Sequence, residues 1–321
     1  MTALLTVRAL QTTDPDCAAV AAIAAAEPET LCDFEYPAVG EVRAFIDSFA
    51  AAGQTLRYYL AETGGEPVGY GFLFHIPWLD EPGRYWVAVR VRPEARRRGA
   101  GRLLYSRLCA DLHALGAAAA RAMIREGRPE IALAERAGFR EVLRTLPFTL
   151  ELAGANTAAL DAARARIEAQ GLAIRTLAEL RASDPAWLPK LFALHAALTR
   201  DVPIPTQPLP TLAWFEGFAT RLPQAFFVAL DGDQYIGESF LHPDAEDPRL
   251  LNQQVTGVLR SHRGRGVAMA LKLATIDYAQ RAGYRAIRTW VETNNASMLA
   301  INRNLGFVAG PGAILFERME K

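Results

Sequence analysis

The chain has 321 residues, 51 % of them hydrophobic and 22 % charged, and its 35 basic and 35 acidic side chains leave no net charge at pH 7. That length suffices for two ordinary domains with cores of their own, and the charge balance, without a long basic run, argues against a nucleic-acid or anionic-membrane surface. Cys17, Cys32 and Cys109 are odd in number, widely spaced and without metal-ligand spacing, so packing roles in a reducing compartment and no metal are expected. Residues 1–8 contain no basic segment leading into an apolar run, and no apolar stretch reaches spanning length, so the expected location is the cytoplasm.

In chain order, Leu5 to Leu10 alternates as a first strand, Asp14-Pro15 opens an alanine-rich helix, and a second helix is predicted over residues 39–52. Tyr58 to Glu62 and Pro67 to Leu73 flank Thr63-Gly64-Gly65-Glu66, the pattern of a β-hairpin. A third strand from Tyr85 to Val91 leads into a basic glycine loop and a helix from Arg102 to Leu115. Gly116, a strand ending at Glu126, a helix from Glu130 to Ala137 and the pair Gly138-Phe139 follow.

The series then recurs. Leu172 to Leu177 repeats the first strand 167 residues on, Asp184-Pro185 reopens the helix, which runs to Leu198, and residues 209–221 give the second helix. Phe226 to Leu230 and Tyr235 to Leu241 repeat the hairpin, and Arg263, Gly266 and Ala268 stand 167 residues after Arg96, Gly99 and Gly101. The second copy closes on a strand to Glu292, a helix from Ala296 to Asn304, and Gly306-Phe307. A register held over this distance marks a duplication. Its domains are drawn at residues 1–153 and 171–321; residues 154–170 form a helical linker with Leu160, Ala163 and Ile167 on one face, a connector packed between domains.

The sharpest local feature of each copy is the glycine loop: Arg96-Arg97-Arg98-Gly99-Ala100-Gly101 in the first, Arg263-Gly264-Arg265-Gly266-Val267-Ala268 in the second. Each reads as strand, loop, helix. Small residues at the helix entrance let several unpaired N–H groups point outward together, backed by the partial positive charge of the helix N-terminus. A phosphate or pyrophosphate is the natural ligand. The loops lack the Lys-Ser/Thr of a Walker motif, which argues against a nucleoside triphosphate site.

Arg96-x-x-Gly99-x-Gly101 after Val89, Val91 and Pro93, and Arg263-x-x-Gly266-x-Ala268 after Thr256 and Val258, in this order of elements, resemble the GNAT superfamily of acetyl-CoA-dependent N-acyltransferases. The resemblance covers nearly the whole chain, twice, and the second copy adds Glu292-Thr293-Asn294-Asn295 and Asn302 to Phe307. The tandem arrangement resembles mycothiol synthase and its relatives. It implies an α/β fold of two tandem domains, each a mixed, mostly antiparallel sheet flanked by helices. The implied activity is acetyl transfer from acetyl-CoA to a primary amine of a small molecule. The resemblance further implies that residues 96–101 and 263–268 hold the pyrophosphate of coenzyme A, that Val89, Val91, Thr256 and Val258 offer backbone groups to the pantetheine arm, and that Asn295 touches that arm. The first copy has Gly127-Arg128-Pro129-Glu130 there instead. The second copy is therefore expected to carry the chemistry, and the first to bind coenzyme A without turnover or to bind nothing.

Acyl transfer to an amine needs a neutral nucleophile, an acceptor for its proton and an acid for the leaving thiolate. Where the resemblance implies a tyrosine near the thiol, this chain has Asn302 and, in the first copy, Ala134; asparagine donates a hydrogen bond but no proton. Where it implies a glutamate on the strand before the loop, Asn252 and Tyr85 stand. The remaining candidates are Glu292, Glu238 and Asn302, with Asp201 and water relays behind them. Glu292 also reads as a carboxylate satisfied by its surroundings, Glu238 as an exposed strand residue, His262 as facing solvent or phosphate, and Trp290 as core. The proline-rich residues 202–210 read as a rigid substrate-side loop, by their place between the first two helices of the copy, ahead of a polyproline ligand for a partner domain. A coenzyme A-binding sensor or scaffold is the alternative function. Two fused copies are expected to act as an internal pseudo-dimer in a monomer, or as a homodimer.

Overall fold

A computed structural model describes residues 4–30, 32, 34–75, 82–155, 158–201, 211–244 and 247–320; the proline-rich loop 202–210 lies outside them. The first copy runs β1 (Leu5–Ala9), α1 (Asp14–Ala24), α2 (Val39–Ala51), β2 (Leu56–Thr63), β3 (Glu66–His75), β4 (Arg84–Val91), α3 (Ala100–Ala114), β5 (Ala119–Arg125), α4 (Glu130–Arg136) and β6 (Arg140–Glu151), followed by α5 (Leu160–Glu168). The second runs β7 (Leu172–Thr176), α6 (Leu177–Ser183), α7 (Trp187–Thr199), α8 (Leu212–Ala219), β8 (Phe226–Asp231), β9 (Gln234–Pro243), β10 (Leu250–Val258), α9 (Val267–Arg281), β11 (Ala286–Glu292), α10 (Ala296–Asn304), β12 (Val308–Ala309) and β13 (Ala313–Met319). Both hairpins, both loop helices and the strand–helix–Gly-Phe endings form where the alternation and the glycines put them. Helix α6 is an addition. Thr176 and Glu179 start it with a reciprocal capping box, which satisfies two otherwise unpaired N–H groups.

The chain divides into two compact units, residues 1–144 with 312–321, and residues 145–311. Unit 1 is a sheet in the order β1-β2-β3-β4-β5-β13, antiparallel except for the parallel pair β4·β5. Helices α1 and α2 cover one face, with Val20, Ile23, Phe45 and Phe49 packed around Phe72 and Phe74; α3 covers the other with Leu104, Leu108 and Leu112. Unit 2 repeats the plan with β7-β8-β9-β10-β11-β6, where β10·β11 is the parallel pair. Helices α7 and α8 share a core with Phe226, Val228 and Phe240, and α9 with Phe227, Ala229 and Ile236.

Each unit takes a strand from the opposite end of the duplication. In unit 1, β13 pairs β5 from Ala313↔Arg125 to Met319↔Ala119, burying Ile314 and Phe316 on the α3 face and Leu315 on the other. In unit 2, β6 pairs β11 from Thr145↔Glu292 to Glu151↔Ala286, burying Phe148 and Leu150 beside Ile287 and Val291. The repeat limits near 153 and 171 thus describe the duplication in sequence, whereas compactness cuts the chain before Thr145 and after Pro311. Helix α5 packs within unit 2, where Leu160 and Ile167 meet Leu172, Val258 and Val267.

The two glycine loops share a backbone path. Gly99 and Gly266 sit at φ of 99° and 89°, and two residues earlier Arg97 and Gly264 sit at 60° and 76°. Arg97 thus holds a left-handed conformation that the second copy gives to glycine. Arg97→Gly is expected to stabilise the protein by about 0.5–1 kcal/mol, the steric cost of a left-handed side chain less the extra freedom glycine gives the unfolded chain. Urea unfolding at unchanged slope reads this; a lower midpoint would refute it. No described helix is long and apolar enough to cross a membrane.

Candidate functional site

The loop of unit 2 curves into a small cradle in which the helix-start N–H groups are left open, whereas Arg263 and Arg265 are taken up by protein partners. Helix α9 starts after left-handed Gly266 with no side-chain cap, leaving the first-turn N–H groups unpaired. Arg263 is a strut: Nε donates to the Val258 carbonyl at 3.0 Å and Nη2 to Asp201 Oδ2 at 2.6 Å. Arg96 does the same in unit 1, from Nε to the Val91 carbonyl at 3.1 Å and from its guanidinium to Glu27. Asp201 is held by Arg260 as well, which keeps its carboxyl below the usual range and assigns it to the loop's framework. Arg265 donates to Gln170 Oε1 at 2.9 Å, while Gln170 Nε2 donates to the Arg265 carbonyl at 3.2 Å. A Cβ on Gly266 would lie 3.5 Å from Nε of Arg166 on α5, so a guanidinium from outside the repeat stands beside the cradle. Arg97 and Arg98 are exposed on the unit 1 loop, and Val89 and Val91 pack against the α3 face. His262 turns inward instead of facing solvent or phosphate: its Nε2 lies 3.2 Å from Asp231 Oδ2.

Below the cradle the sheet opens. Strands β10 and β11 pair over Leu250–Asn252 and Ala286–Arg288, while both continue beyond, to Val258 and Glu292. At the point of parting the Thr289 hydroxyl donates to the Gln253 carbonyl at 3.3 Å, and the Thr275 hydroxyl of α9 to Gln253 Oε1 at 3.2 Å. Thr256 on the opening edge shares a 2.8 Å hydrogen bond with Ser239. Glu292 ends β11, buried, and burial pushes its carboxyl up. Asn295 caps α10, its Oδ1 accepting the Met298 N–H at 3.3 Å. Asn302 is fully buried with neither Oδ1 nor Nδ2 partnered. Trp290 is 49 % exposed rather than core, because the alternation of β11 directs Thr289 and Val291 inward.

The α7–α8 face of unit 2 holds the other polar cluster. Glu238 on β9 is 0 % exposed, not a surface strand residue; Oε1 lies 2.6 Å from Nδ1 of His195 on α7, and Oε2 has no partner. Burial pushes this carboxyl up, against the pull of His195. Two residues on, Phe240 and then His242 share the face. His242 is held down to about 4 by burial first and then the Arg221 charge, and its Nε2 is buried without a partner. Asn252, paired with His242 across the strands, donates from Nδ2 to Asp244 at 2.8 Å and leaves Oδ1 unpartnered. Phe215 and Phe218 of α8 wall the cluster, with ring centroids 4.7 Å from His195 and 4.4 Å from His242. Gly257 makes room for α7, since a Cβ there would meet Leu198 at 3.0 Å.

Unit 1 fills the matching place. Tyr70 stands where Glu238 does, opposite Arg90 rather than Gly257, and both bond to Glu35: Tyr70 Oη at 2.9 Å, Arg90 Nε at 2.8 Å and Nη2 at 3.0 Å. That carboxylate has no spare oxygen. The sequence reading missed His195 and His242; a histidine amid the leucines of a predicted helix was the available signal for the first. A surface groove bounded by Arg164, Glu179, Gln224, Tyr278 and Arg281 lies at the far end of α9 from the loop and contains none of these residues. Among the described residues no group of His, Cys, Asp and Glu is arranged to hold a metal.

The mycothiol acetyltransferase of Geodermatophilus obscurus is 28 % identical over 225 residues, covering 68 % of each chain. That of Rhodococcus opacus is 26 % identical over 271 residues, covering 80 % of this chain and 81 % of the relative. Among solved structures, a tandem GNAT protein from the clavulanic acid biosynthesis pathway shares the fold with a TM-score of 0.69, at 19 % identity and 98 % coverage of both chains. A GCN5-related N-acetyltransferase from Sphaerobacter thermophilus gives 0.68, also at 19 % identity, over 98 % of this chain and 95 % of its own. The Acetyltransferase (GNAT) family model matches twice, over residues 21–139 and 190–307, one match for each glycine loop, and the chain is an acetyltransferase of the GNAT family.

Proposed function

We propose that the enzyme transfers an acetyl group from acetyl-CoA to a primary amine of a small molecule, with the chemistry in unit 2. The observation that carries this reading is the Glu238–His195 pair, whose free Oε2 sits on an aromatic-walled face of the sheet that opens below the uncapped loop. The cofactor would supply an acetyl group activated as a thioester. Its pyrophosphate suits the N–H groups of residues 264–268, with Arg166 beside them, and its arm suits the edge from Thr256 to Val258, with Asn295 and Asn302 across the opening. Glu238 Oε2 accepts the proton that the amine loses, while His195 holds Oε1 and so orients the carboxylate. Phe215, Phe218 and Phe240 exclude water. Unit 1 keeps the cradle, residues 96–101, but its carboxylate is consumed by Arg90 and Tyr70, which supports a non-catalytic role.

The test is acetyl-CoA titration together with thiol release across an amine panel that begins with the acceptor of the mycothiol acetyltransferases. Gly266→Glu sets a side chain at φ of 89° and a negative charge in the cradle. It is expected to abolish turnover that Gly99→Glu retains; equal loss from both sinks the asymmetry. Binding without thiol release from any amine would make the chain a coenzyme A sensor instead.

A further inference from the structure

Both units place a cation over the phenylalanine of their Gly-Phe pair. In unit 1, Cζ of Arg318 lies 5.1 Å from the ring centroid of Phe139, and its guanidinium is fully engaged by Glu320 (Nε to Oε1, 2.9 Å), the Tyr105 hydroxyl and the Ala137 carbonyl. In unit 2, Nζ of Lys272 lies 5.0 Å from the ring centroid of Phe307, and there the likeness ends. Lys272 is 1 % exposed, and no hydrogen bond or charge from a described residue acts on its amine. Asn302, whose carbonyl accepts the Phe307 N–H at 3.0 Å, is 0 % exposed and has both side-chain polar atoms unpartnered. The positions matching Lys272 and Asn302 in the first copy are Tyr105 and Ala134.

Buried polar groups are normally bonded, and a bare amide, like a buried amine held only by the face of a ring, is costly unless something else completes it. Their place says what. Lys272 stands one helical turn nearer the glycine loop than Thr275, which marks the point where β10 and β11 part, and so lies on the stretch of α9 between the loop and that point. A bare carboxamide, with one donor end and one acceptor end, complements another amide; a bare amine complements a carbonyl oxygen. The pantetheine arm of coenzyme A carries two amides.

We propose that Lys272 and Asn302 are the hydrogen-bonding pair for the amide groups of the pantetheine arm in unit 2, Lys272 binding as the ammonium ion. The proposal rests on acetyl-CoA being the cofactor of unit 2. Burial alone lowers the Lys272 amine to about 7. The titratable groups on the elements packed around it, Asp277 and Arg281 on α9, Arg288 and Glu292 on β11 and Arg303 on α10, make no bond to it. At pH 8 it is therefore mostly neutral in the free protein, and a carbonyl acceptor draws a proton onto it. Because the folded value lies below the unfolded 10.5, the free protein gains stability as pH rises from about 7 to 10.5, a slope that Lys272→Met removes.

Calorimetric titration of the whole chain with coenzyme A at pH 8, in two buffers of different ionisation enthalpy, counts the protons taken up. Wild type is expected to gain most of a proton per cofactor bound. Lys272→Met gains none, binds coenzyme A about tenfold more weakly, and binds 3′,5′-ADP, which lacks the arm, like wild type. Its unfolding midpoint rises, so weaker binding is not misfolding. Asn302→Leu weakens coenzyme A but keeps the proton uptake. No uptake by wild type, or equal coenzyme A affinity in wild type and Lys272→Met, overturns the proposal and leaves the cofactor reading standing. Failure of wild type to bind either ligand overturns both.

Discussion

Glu238→Gln is expected to lower kcat by about 10²- to 10⁴-fold, the usual range for a lost general base, while the affinity for acetyl-CoA stays put. Glutamine keeps the shape and can still bond to His195, so the change removes the capacity to take a proton and little else. Alanine would be a poorer test, because it strands His195 in a buried site at a cost of about 1–3 kcal/mol. The pH profile adds a second readout. Burial raises the Glu238 carboxyl above its ordinary range, so activity in the wild type falls as pH drops through that raised value, where the base becomes protonated. The residual activity of Glu238→Gln loses that acid limb. A variant with wild-type kcat, or with the same acid limb, would remove Glu238 from the chemistry and leave His242, whose free Nε2 shares the face, as the next base to test.

The second large effect concerns folding. A fragment of residues 145–311 is expected to fold alone, and a fragment of residues 171–321 is not, although the latter is the tidier cut by sequence repeat. The 171–321 piece lacks β6, hence Phe148 and Leu150, each 3 % exposed or less, and lacks Leu160 and Ile167 of α5. At about 1.5–3 kcal/mol for each buried apolar side chain, these four match the whole stability of an ordinary domain, about 5–15 kcal/mol. It also carries β13 with Ile314 and Phe316 and no β5 to receive them. Phe316→Ala in the full chain is the milder version, expected to destabilise unit 1 by about 3–5 kcal/mol and to spare unit 2. Amide hydrogen exchange resolves the two units; cooperative unfolding of the 171–321 fragment with native-like protection would refute the assignment of β6.

What the sequence makes plain and what it hides differ for physical reasons. Gly99 and Gly266 are legible because a left-handed helix entrance calls for glycine, so backbone geometry writes itself into residue type. Alternation makes the hairpins legible in the same way. Strands β6 and β13 alternate too, but alternation specifies which face is buried and not which neighbour is paired, so their exchange leaves no mark in either segment alone. Glu238 looks like a surface residue because its partner, His195, is 43 positions away on a helix whose other inward residues are leucines and an alanine. Arg263 looks like a phosphate ligand until Asp201 is seen to hold it. Trp290 looks like core until the register sets it opposite Pro147 and outward.

The exchanged strand has a consequence for how the protein is made. The ribosome releases the chain from its N-terminus, yet Arg121 on β5 finds Glu317 on β13 across 196 positions of sequence. While those residues are being added, the edge of β5 has no partner and its backbone groups stay open to any strand nearby. Everything unit 2 needs has emerged by Pro311. The half that is translated first is therefore completed last, and a nonsense codon just after Pro311 disables the early half of the chain while sparing the late one.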